Sequence, residues 1–394
     1  MPLDSNSSLI ALAASLPWII APIVATVRMA QSTSLENESP DPPKLAPAVS
    51  VIVPARNEAP NIAACARSLL ESDYPAFEII VVNDHSTDET ATIARLMAND
   101  DARLKVLDNP PLPSDWFGKQ WACQTGANAA RGEILIFMDA DARASQDLLT
   151  RAVNGMLRTK ADFYSVLGRQ EMLTFWERLL QMQIFVVLMT RFGGTEIINR
   201  ARTASAKIAN GQFLMVVRHV YEEYGGHGLV RGYVAEDLML AQRYFELGKK
   251  TVLVEGWNQL STRMYTSLHE LIGGWRKNIF AGGRHSMPLG ARSEVLASLL
   301  LPLPFLMQLA PPLLLVAALL LGLHTLLFWA IVTSCVTLAS WLLYYRIGRV
   351  PIVYALLFPL GAAVALYIVV TAVLRGSRVE WKGREYESVH PATL

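Results

Sequence analysis

An almost unbroken apolar stretch near the C-terminus is the feature that most limits how this 394-residue chain can fold. After Glu294, the sequence as far as Leu374 has just two charged residues, Arg346 and Arg349. About 20 consecutive apolar residues are enough to cross the hydrocarbon core of a bilayer as a helix. The stretch therefore fits three membrane spans, at residues 295–320, 324–345 and 351–374.

A second apolar segment, at residues 9–27, predicts a membrane anchor at the N-terminus. Its flank, MPLDSNSS, has no lysine or arginine and no cleavage site of small residues stands out, so we expect an uncleaved anchor rather than a signal peptide. Arg28 follows the segment, which favours a cytoplasmic position for the next part of the chain. Hydrophobic residues make up 52% of the chain and charged residues 18%, which is typical of a soluble domain joined to membrane helices.

Three C-terminal spans conflict with the charge of the tail. If residues 31–290 are cytoplasmic, three spans put the tail outside, whereas the positive-inside rule favours a basic tail inside. The basic residues of the tail are Arg375, Arg378, Lys382 and Arg384. One apolar element can therefore be re-entrant or lie in the membrane interface, and the sequence leaves this question open.

The composition argues against several other classes of protein. A net charge of +1 gives no electrostatic basis for a nucleic-acid partner. Cys65, Cys123 and Cys335 have no metal-binding or redox spacing, so they indicate reduced thiols. The long apolar stretch has almost no ionisable residue inside it, which argues against a transporter.

Between the apolar segments, short apolar runs alternate with helical patterns. Strands are predicted at 49–54, 77–83, 104–106 and 133–138, and helices at 61–72 and 121–130. This alternation predicts an α/β fold with a mainly parallel sheet and helices on both faces. The polar, proline-rich residues 31–47 are typical of a linker. Residues 171–192 fit either an amphipathic helix on the membrane or a buried core helix.

Polar side chains follow the first two predicted strands. Pro54, Arg56 and Glu58 come at the end of the first strand and can contact a nucleotide base and ribose. Asp84 ends the second strand, where a carboxylate can accept the imide N–H of a uracil or simply occupy a turn. Ligands of open α/β sheets bind at the carboxyl ends of the strands, so this edge is the predicted site.

A pair of carboxylates ends the fourth predicted strand. Asp139 and Asp141 are two residues apart, so both can converge on one ion. Mg²⁺ typically joins one or two carboxylates to substrate phosphates. Lys119 can lie near a diphosphate as a point charge, or it can be a solvated residue at the start of a helix.

Two further motifs lie between the fourth strand and the apolar stretch. Glu236 and Asp237 open a predicted helix, and Asp237 is the candidate general base that removes a proton from an acceptor hydroxyl. Either acid can instead complement the helix dipole. Trp275, Arg276 and Lys277 lie just before the membrane block, where the two cations can neutralise a leaving diphosphate or meet anionic lipid.

Taken together, these motifs resemble those of the family 2 glycosyltransferases, which have a GT-A fold. The resemblance covers residues 49–280 and rests on VSVIVPARNE, VVNDHSTDET, GKQWA, MDADA and AEDLMLAQRYFELG, in the family's order. Within the family, the chain is most similar to the hopene-associated membrane glycosyltransferases, through NGQFLMVVRHVYEEYGGH, RMY, GGWRKNIF and the tail WKGREY. Processive members carry a Gln-x-x-Arg-Trp motif, whereas this chain has GGWRKN, which argues for a single sugar transfer.

The resemblance implies a role for each candidate residue. Asp84 would hold a uracil-type base, Asp139 would meet the ribose or the metal, and Asp141 would bind Mg²⁺ or Mn²⁺. Asp237 would be the catalytic base of an inverting transfer. The rest of the substrate site would consist of Pro54, Arg56, Glu58, Lys119, Glu236, Trp275 and Arg276.

The resulting hypothesis is a multi-pass enzyme of the plasma (inner) membrane with a cytoplasmic GT-A domain. It would transfer a sugar from a nucleotide-diphosphate sugar, by resemblance a UDP-sugar, to the hydroxyl of a hopanoid or related polyprenoid lipid. Two alternatives stay open: transfer to a polyprenyl phosphate, and a non-catalytic membrane scaffold that binds sugar nucleotides. The expected divisions are an anchor (1–30), a linker (31–48), the GT-A domain (49–290), membrane helices (291–375) and a basic tail (376–394).

Overall fold

The structure, a computed structural model, describes residues 5–286, 293–376, 378–381 and 384–387. The helices are α1 (Ser5–Met29), α2 (Ile62–Leu70), α3 (Thr90–Asp100), α4 (Gly118–Ala129), α5 (Leu148–Thr159), α6 (Met182–Phe192), α7 (Thr195–Arg200), α8 (Arg218–Glu223), α9 (Glu236–Glu246), α10 (Leu268–His285), α11 (Ser293–Leu300), α12 (Leu303–Leu321), α13 (His324–Ile347) and α14 (Phe358–Arg375). The strands are β1 (Val49–Ala55), β2 (Phe77–Asn83), β3 (Leu104–Asp108), β4 (Ile134–Met138), β5 (Ala142–Ala144), β6 (Phe163–Leu167), β7 (Arg169–Gln170), β8 (Phe213–Val217), β9 (Thr251–Glu255), β10 (Leu260–Thr262), β11 (Arg378–Trp381) and β12 (Arg384–Glu387).

Seven strands form the central sheet, in the order β3-β2-β1-β4-β8-β6-β9. The strands β3, β2, β1 and β4 are parallel neighbours, β8 is antiparallel to both β4 and β6, and β9 is parallel to β6. The parallel half follows from the alternation of strand and helix, because each helical crossover lets the next strand run in the same direction. The predicted α/β class with a mainly parallel sheet is therefore confirmed.

The four predicted strands correspond to β1–β4 and the two predicted helices to α2 and α4, with ends that differ by at most three residues. The pattern does not predict β6, β8 and β9, which complete the sheet. Their apolar runs are five residues long and lie among irregular segments, so their pairing depends on partners far away in the sequence.

Alternate residues of the central strands point to opposite faces of the sheet and fill two cores. On one face, Val51 and Val53 pack in a cluster with residues of α2, α3 and α5. On the other face, Ile52 packs with residues of α4, α8 and α9. Because the side-chain period of a strand is two, a sheet covered on both faces requires continuously apolar strands, as the sequence has.

Three C-terminal stretches are helical and long and apolar enough to cross a membrane: Ser298–Leu321, His324–Ile347 and Ile352–Arg375. They contain α12, α13 and α14 and lie close to the predicted spans. Pro302 stands in the short break between α11 and α12, since proline cannot continue the ladder of helical hydrogen bonds. The apolar part of α1, Ala13–Met29, is shorter and packs along α13, where the rings of Trp18 and Trp329 meet edge-on at 5.1 Å.

The segment expected to be a linker packs against the domain. The side chain of Leu35 is fully buried in the core. The carboxylate of Glu38 accepts a hydrogen bond from Arg158 Nε at 2.9 Å, and Arg151 Nη1 donates to the carbonyl of Glu36 at 2.9 Å. The polar composition does not reveal this, because the polar groups bind partners more than 100 residues away. These contacts fix the point at which α1 leaves the domain.

Residues 171–192 contain a π-helical segment, Glu177–Gln181, followed by α6. Leu179 and Leu180 are fully buried, and the buried Glu177 forms an ion pair with Arg263 at 2.9 Å. The sequence leaves open whether this segment is an amphipathic helix on the membrane or a buried core helix. The π-helical part is buried, as expected for a core helix.

Candidate active site

The carboxyl ends of β1, β2 and β4 meet at one edge of the sheet, because these strands are adjacent and parallel. The polar residues that follow them there are Arg56, Glu58, Asp84, Asp139 and Asp141. The helices α4 and α9 begin at the same edge, with Lys119 and Glu236 in their first turns. Two helix N-termini thus face a group of acidic side chains, and the positive ends of helix dipoles favour anions.

Asp84 is held in a fixed orientation at the end of β2. Its side chain is almost fully buried, and Oδ1 accepts a hydrogen bond from Asn109 Nδ2 at 3.0 Å. Arg56 Nη1 donates to the carbonyls of Asp84 at 2.8 Å and His85 at 3.2 Å. The loops after β1 and β2 are therefore tied together, and the side chain of Arg56 is occupied partly with the backbone.

Lys119 links two of the candidate carboxylates. Its Nζ lies 2.7 Å from Asp139 Oδ1 and 2.8 Å from Glu236 Oε1. Burial works against the charge on Lys119, but the carboxylates of Asp139 and Glu236 raise its pKa well above the usual value. Lys119 is therefore charged at neutral pH and balances two acids. It is not the solvated residue at the start of a helix that the sequence also allows.

Asp237 differs from its neighbours because its partners are backbone groups. Oδ2 accepts a hydrogen bond from the N–H of Gly211 at 2.8 Å, and Oδ1 accepts one from the N–H of Leu238 at 2.8 Å. Burial and the nearby carboxylate of Glu236 raise the pKa of Asp237 to about 6, although Lys119 opposes the shift. A carboxylate with a pKa near 6 is basic enough to accept a proton and is still ionised at neutral pH.

A continuous cavity of about 1920 Å³ joins this edge of the sheet to the apolar helices. At the polar end it is lined by Pro54, Arg56, Glu58, Asp84, Lys119, Asp139, Asp141, Glu236, Asp237 and Trp275. At the other end it is lined by α1, α12 and α13, including Trp18, Met307 and Tyr344. Almost all of the predicted site residues therefore share one space, which continues between helices that are apolar enough to lie in a membrane.

The family comparison agrees with the geometry. Residues 50–225 match the model of the family described as glycosyl transferase family 2. The chain carries a family 2 glycosyltransferase domain. A mannosyltransferase from Pyrobaculum calidifontis, solved in complex with GDP-Man and Mn²⁺, superposes with a TM-score of 0.55 over 93% of this chain and 99% of that chain, at 19% identity. This likeness shows the fold, which is of the GT-A type.

Several curated relatives of this chain carry the same name. The 4,4'-diaponeurosporenoate glycosyltransferases of Staphylococcus haemolyticus (strain JCSC1435) and Staphylococcus aureus (strain USA300) are both 26% identical to this chain, over 243 and 248 residues. Each match covers 61% of this chain and 63% of the relative, so the similarity spans less than two thirds of the relatives' length.

Trp275 forms part of the cavity wall of the glycosyltransferase domain. Its ring packs edge-on against Phe185 and Tyr265, with centroids 5.6 Å and 6.1 Å away. Its buried Nε1 finds no hydrogen-bond acceptor among the residues that the structure describes. Gly274 permits this packing, because a Cβ at that position would come within 2.2 Å of the Tyr265 ring. The indole N–H is therefore a buried donor without a protein partner among these residues.

The sequence predicts Arg276 in the substrate site, but Arg276 is not among the described residues that line the cavity. Its neighbour Lys277 does line it. Helical geometry explains the difference: the residues of α10 that face the cavity recur every three or four positions, as in Glu270, Gly273, Gly274, Lys277 and Asn278. Burial lowers the pKa of Lys277 to about 8, partly offset by Glu236. This periodicity was readable in the sequence and identifies Lys277 as the cation of the motif on this face.

Gly211, in the stretch NGQFLMVVRHVYEEYGGH, has a contact that the sequence does not predict. Its N–H is a partner of Asp237, and a Cβ at this position would lie 3.1 Å from Asp237 Oδ2. A larger residue would therefore have to displace the carboxylate. The sequence offers no signal for this contact, since Gly211 and Asp237 are 26 positions apart and meet only in the folded domain.

Asp139 and Asp141 are the residues whose chemistry fits a divalent cation. Both line the cavity, and hard cations prefer carboxylate oxygens. Among the residues that the structure describes, no group of three or more His, Cys, Asp or Glu side chains could hold a metal ion. The protein would therefore supply one or two carboxylates and the substrate the remaining oxygens, which is the usual arrangement for Mg²⁺ with a phosphate-bearing substrate.

Proposed function

We propose that the protein is a membrane-bound inverting glycosyltransferase of the hexosyltransferase type. It transfers a sugar from a nucleotide-diphosphate sugar, a UDP-sugar, to the hydroxyl of a membrane lipid. The observation that carries the proposal is the cavity that connects Asp237 with the space between α1, α12 and α13. A water-soluble acceptor needs no apolar route to the base, whereas a lipid does. The relatives' name, with its lipid-like acceptor, supports the same class.

The polar end of the cavity suits the donor. Asp84 accepts from the base, and the N-termini of α4 and α9 offer positive potential to the diphosphate. Asp139 and Asp141 would hold Mg²⁺ or Mn²⁺, which, when bound, supplies positive charge for the leaving diphosphate. Trp275 and Lys277 close this region from the side of α10.

Asp237 is the proposed catalytic base. Its backbone partners, Gly211 and Leu238, fix the carboxylate and leave lone pairs for a proton. The acceptor hydroxyl gives its proton to Asp237 as its oxygen bonds to the anomeric carbon. The bond from that carbon to the diphosphate oxygen breaks on the opposite face, so the configuration inverts. The products are the glycosylated lipid and a nucleoside diphosphate.

The apolar end of the cavity defines the class of acceptor. Its walls in α1, α12 and α13 suit a rigid or extended hydrocarbon, and we propose a hopanoid or related polyprenoid. The domain would lie on the cytoplasmic side of the plasma (inner) membrane, as Arg28 after α1 favours.

The test uses the full chain in detergent with a lipid extract, a panel of UDP- and GDP-sugars, and Mg²⁺ or Mn²⁺. We expect a new glycolipid, detected by mass spectrometry, and about a 10²- to 10⁴-fold lower rate for Asp237→Asn, the range for a lost general base. Asp101→Asn is the matched control, because this partly exposed carboxylate pairs with Arg103 away from the cavity. Donor hydrolysis without any lipid product would refute the lipid acceptor, and no turnover of any donor would favour a scaffold.

A polyprenyl phosphate is the second candidate acceptor, favoured by one observation. Lys277 and Arg191 both line the cavity and could face an anionic headgroup. Such an acceptor is already ionised, so Asp237→Asn would keep nearly full activity with it. Comparing this variant on polyprenyl phosphate and on lipid alcohols therefore separates the two candidates.

A further inference from the structure

The last long apolar helix, α14, begins against the catalytic domain. Gln183 Nε2 of α6 donates a hydrogen bond to the carbonyl of Phe358 at 3.2 Å. One turn later, Gly361 approaches the same side chain so closely that a Cβ would lie 2.9 Å from Gln183 Nε2. The ring of Phe358 is buried in a cluster that includes Met182 of α6 and Tyr345 of α13.

The second half of α14 also packs on the domain. Ala365, Ile368 and Val369 are buried in a cluster that includes Leu271 and Trp275 of α10. A helix rises 1.5 Å per residue, so a helix that left the domain at its first residue would be about 16 Å further away at Val369. Instead, Val369 is still buried in the cluster that contains Leu271 and Trp275. The helix therefore runs along the domain rather than away from it.

The partner helix α10 is itself held against the domain at its middle and at its end. At its middle, Trp275 packs against Phe185 of α6 and against Tyr265, which lies just before α10. At its end, Gln242 Nε2 of α9 donates to the carbonyl of His285 at 3.2 Å, and Arg191 Nη2 of α6 donates to that of Ser286 at 2.6 Å. Because α10 lies along the face of the domain, a helix that packs beside it lies along the same face.

The pair α12 and α13 behaves differently. It forms a hairpin whose turn, at Gly322, follows the highly exposed Leu320 and Leu321. The start of α12 joins the cluster with α10 through Phe305, and the end of α13 reaches the domain through the Tyr345 hydroxyl, which donates to the carbonyl of Arg178 at 3.2 Å. The helix α14 thus contacts the domain-side ends of both members of the hairpin.

The outer face of α14 is apolar. Ala363, Tyr367, Val370 and Leu374 recur every three or four residues and are exposed, while the opposite face is buried. The helix packs beside α12, and Arg375 ends it. An apolar stripe of this kind can face acyl chains while the opposite face stays against the protein, and a cation at its end can meet lipid headgroups.

We infer that α14 lies in the plane of the membrane interface on the side of the catalytic domain and does not cross the bilayer. The crossing helices are then α1, α12 and α13, and the basic tail stays with the domain. This removes the conflict between three C-terminal spans and the positive-inside rule. The inference rests on the membrane attachment that is part of the proposed function.

Cysteine labelling from one side of the membrane tests the inference. In a background with Cys65, Cys123 and Cys335 replaced, we would place single cysteines by Arg375→Cys, His324→Cys and Glu71→Cys, all at exposed positions. A membrane-impermeant maleimide is applied to intact spheroplasts and to inverted vesicles. We expect Arg375→Cys to react from the same side as Glu71→Cys in the domain, and His324→Cys from the opposite side.

The outcomes separate the two proposals. If Arg375→Cys reacts from the same side as His324→Cys, α14 crosses the bilayer and the inference is wrong. If His324→Cys and Glu71→Cys react from the same side, the proposed membrane insertion itself fails. A fluorescent protein fused after Leu394 gives an independent readout, because a reporter that folds only in the cytoplasm fluoresces only if the tail is there.

Discussion

The two ends of the cavity are held together in opposite ways. At the polar end, the charged groups have fixed partners: Lys119 lies between Asp139 and Glu236, and Asp237 accepts two backbone N–H groups. At the apolar end, α1 meets the other helices largely through ring packing and a hydrogen bond from Trp18 Nε1 to the carbonyl of Met307 at 2.8 Å. The difference indicates that reacting groups need a rigid frame, whereas an apolar acceptor needs a space of suitable shape.

The largest expected effect is the loss of glycosyl transfer when the divalent cation is removed from the polar end of the cavity. A bound cation contributes several kcal/mol to charge stabilisation, so chelation should lower glycosyl transfer by at least about 10³-fold. Mn²⁺ or Mg²⁺ in excess should restore it. Asp141→Asn should weaken Mn²⁺ binding measured by calorimetry in the presence of nucleoside diphosphate, while Asp101→Asn should not. Full transfer after exhaustive chelation would show that the two carboxylates serve another purpose.

The residues at the polar end could be predicted from the sequence because adjacent parallel strands bring their carboxyl ends together, regardless of the loop conformations. Apolar runs that end at a carboxylate are enough to identify Asp84, Asp139 and Asp141. The contacts of Leu35 and Gly211 could not be predicted, because each depends on partners that are distant in sequence and identifiable only after folding. The roles assigned to the site residues stay predictions.

The apolar end shows a different limit of sequence reasoning. Composition identifies α14 as apolar, but hydropathy does not distinguish a helix that crosses lipid from one that packs along a domain. The distinction depends on contacts such as that of Gln183 with the carbonyl of Phe358. The charge of the tail was the one signal in the sequence that pointed to the problem.

Lys119 is the residue whose loss should destabilise the polar end most. Lys119→Met would leave Asp139 and Glu236 without their shared cation, and breaking a buried ion pair costs about 3 kcal/mol or more. We expect a clear drop in melting temperature in detergent. The matched control is Lys105→Met, which breaks the more exposed pair with Glu78 and should cost less than about 1 kcal/mol. Equal melting temperatures for the two variants would contradict the structural role of Lys119.

Filling the apolar end of the cavity should weaken binding of the acceptor and leave binding of the donor unchanged. Ser340 of α13 lines the cavity, so Ser340→Trp should raise the KM for the lipid by about tenfold, a change of about 1.4 kcal/mol in binding. Donor binding should not change, because the nucleotide would lie at the other end. Ala339→Trp adds an indole to the exposed side of the same helix turn and serves as the control. An increase in the KM for the donor, or an equal effect of Ala339→Trp, would argue against this route for the acceptor.

The smallest expected effect concerns the pH dependence at the junction of the two ends. Asp237 must be ionised to accept a proton, and burial together with Glu236 raises its pKa to about 6. Below this pH the carboxyl is protonated, so kcat/KM should rise as the pH increases through about 6 and then level off.

Glu236→Gln removes a negative charge beside Asp237, so the pKa of Asp237 should fall and the acidic limb of the pH profile should move to lower pH. Lys119→Gln removes a positive charge and should move the same limb to higher pH. Opposite shifts in the two variants would place the titrating group beside both Lys119 and Glu236, as Asp237 is, whereas a limb that moves in neither variant would assign the titration to another group.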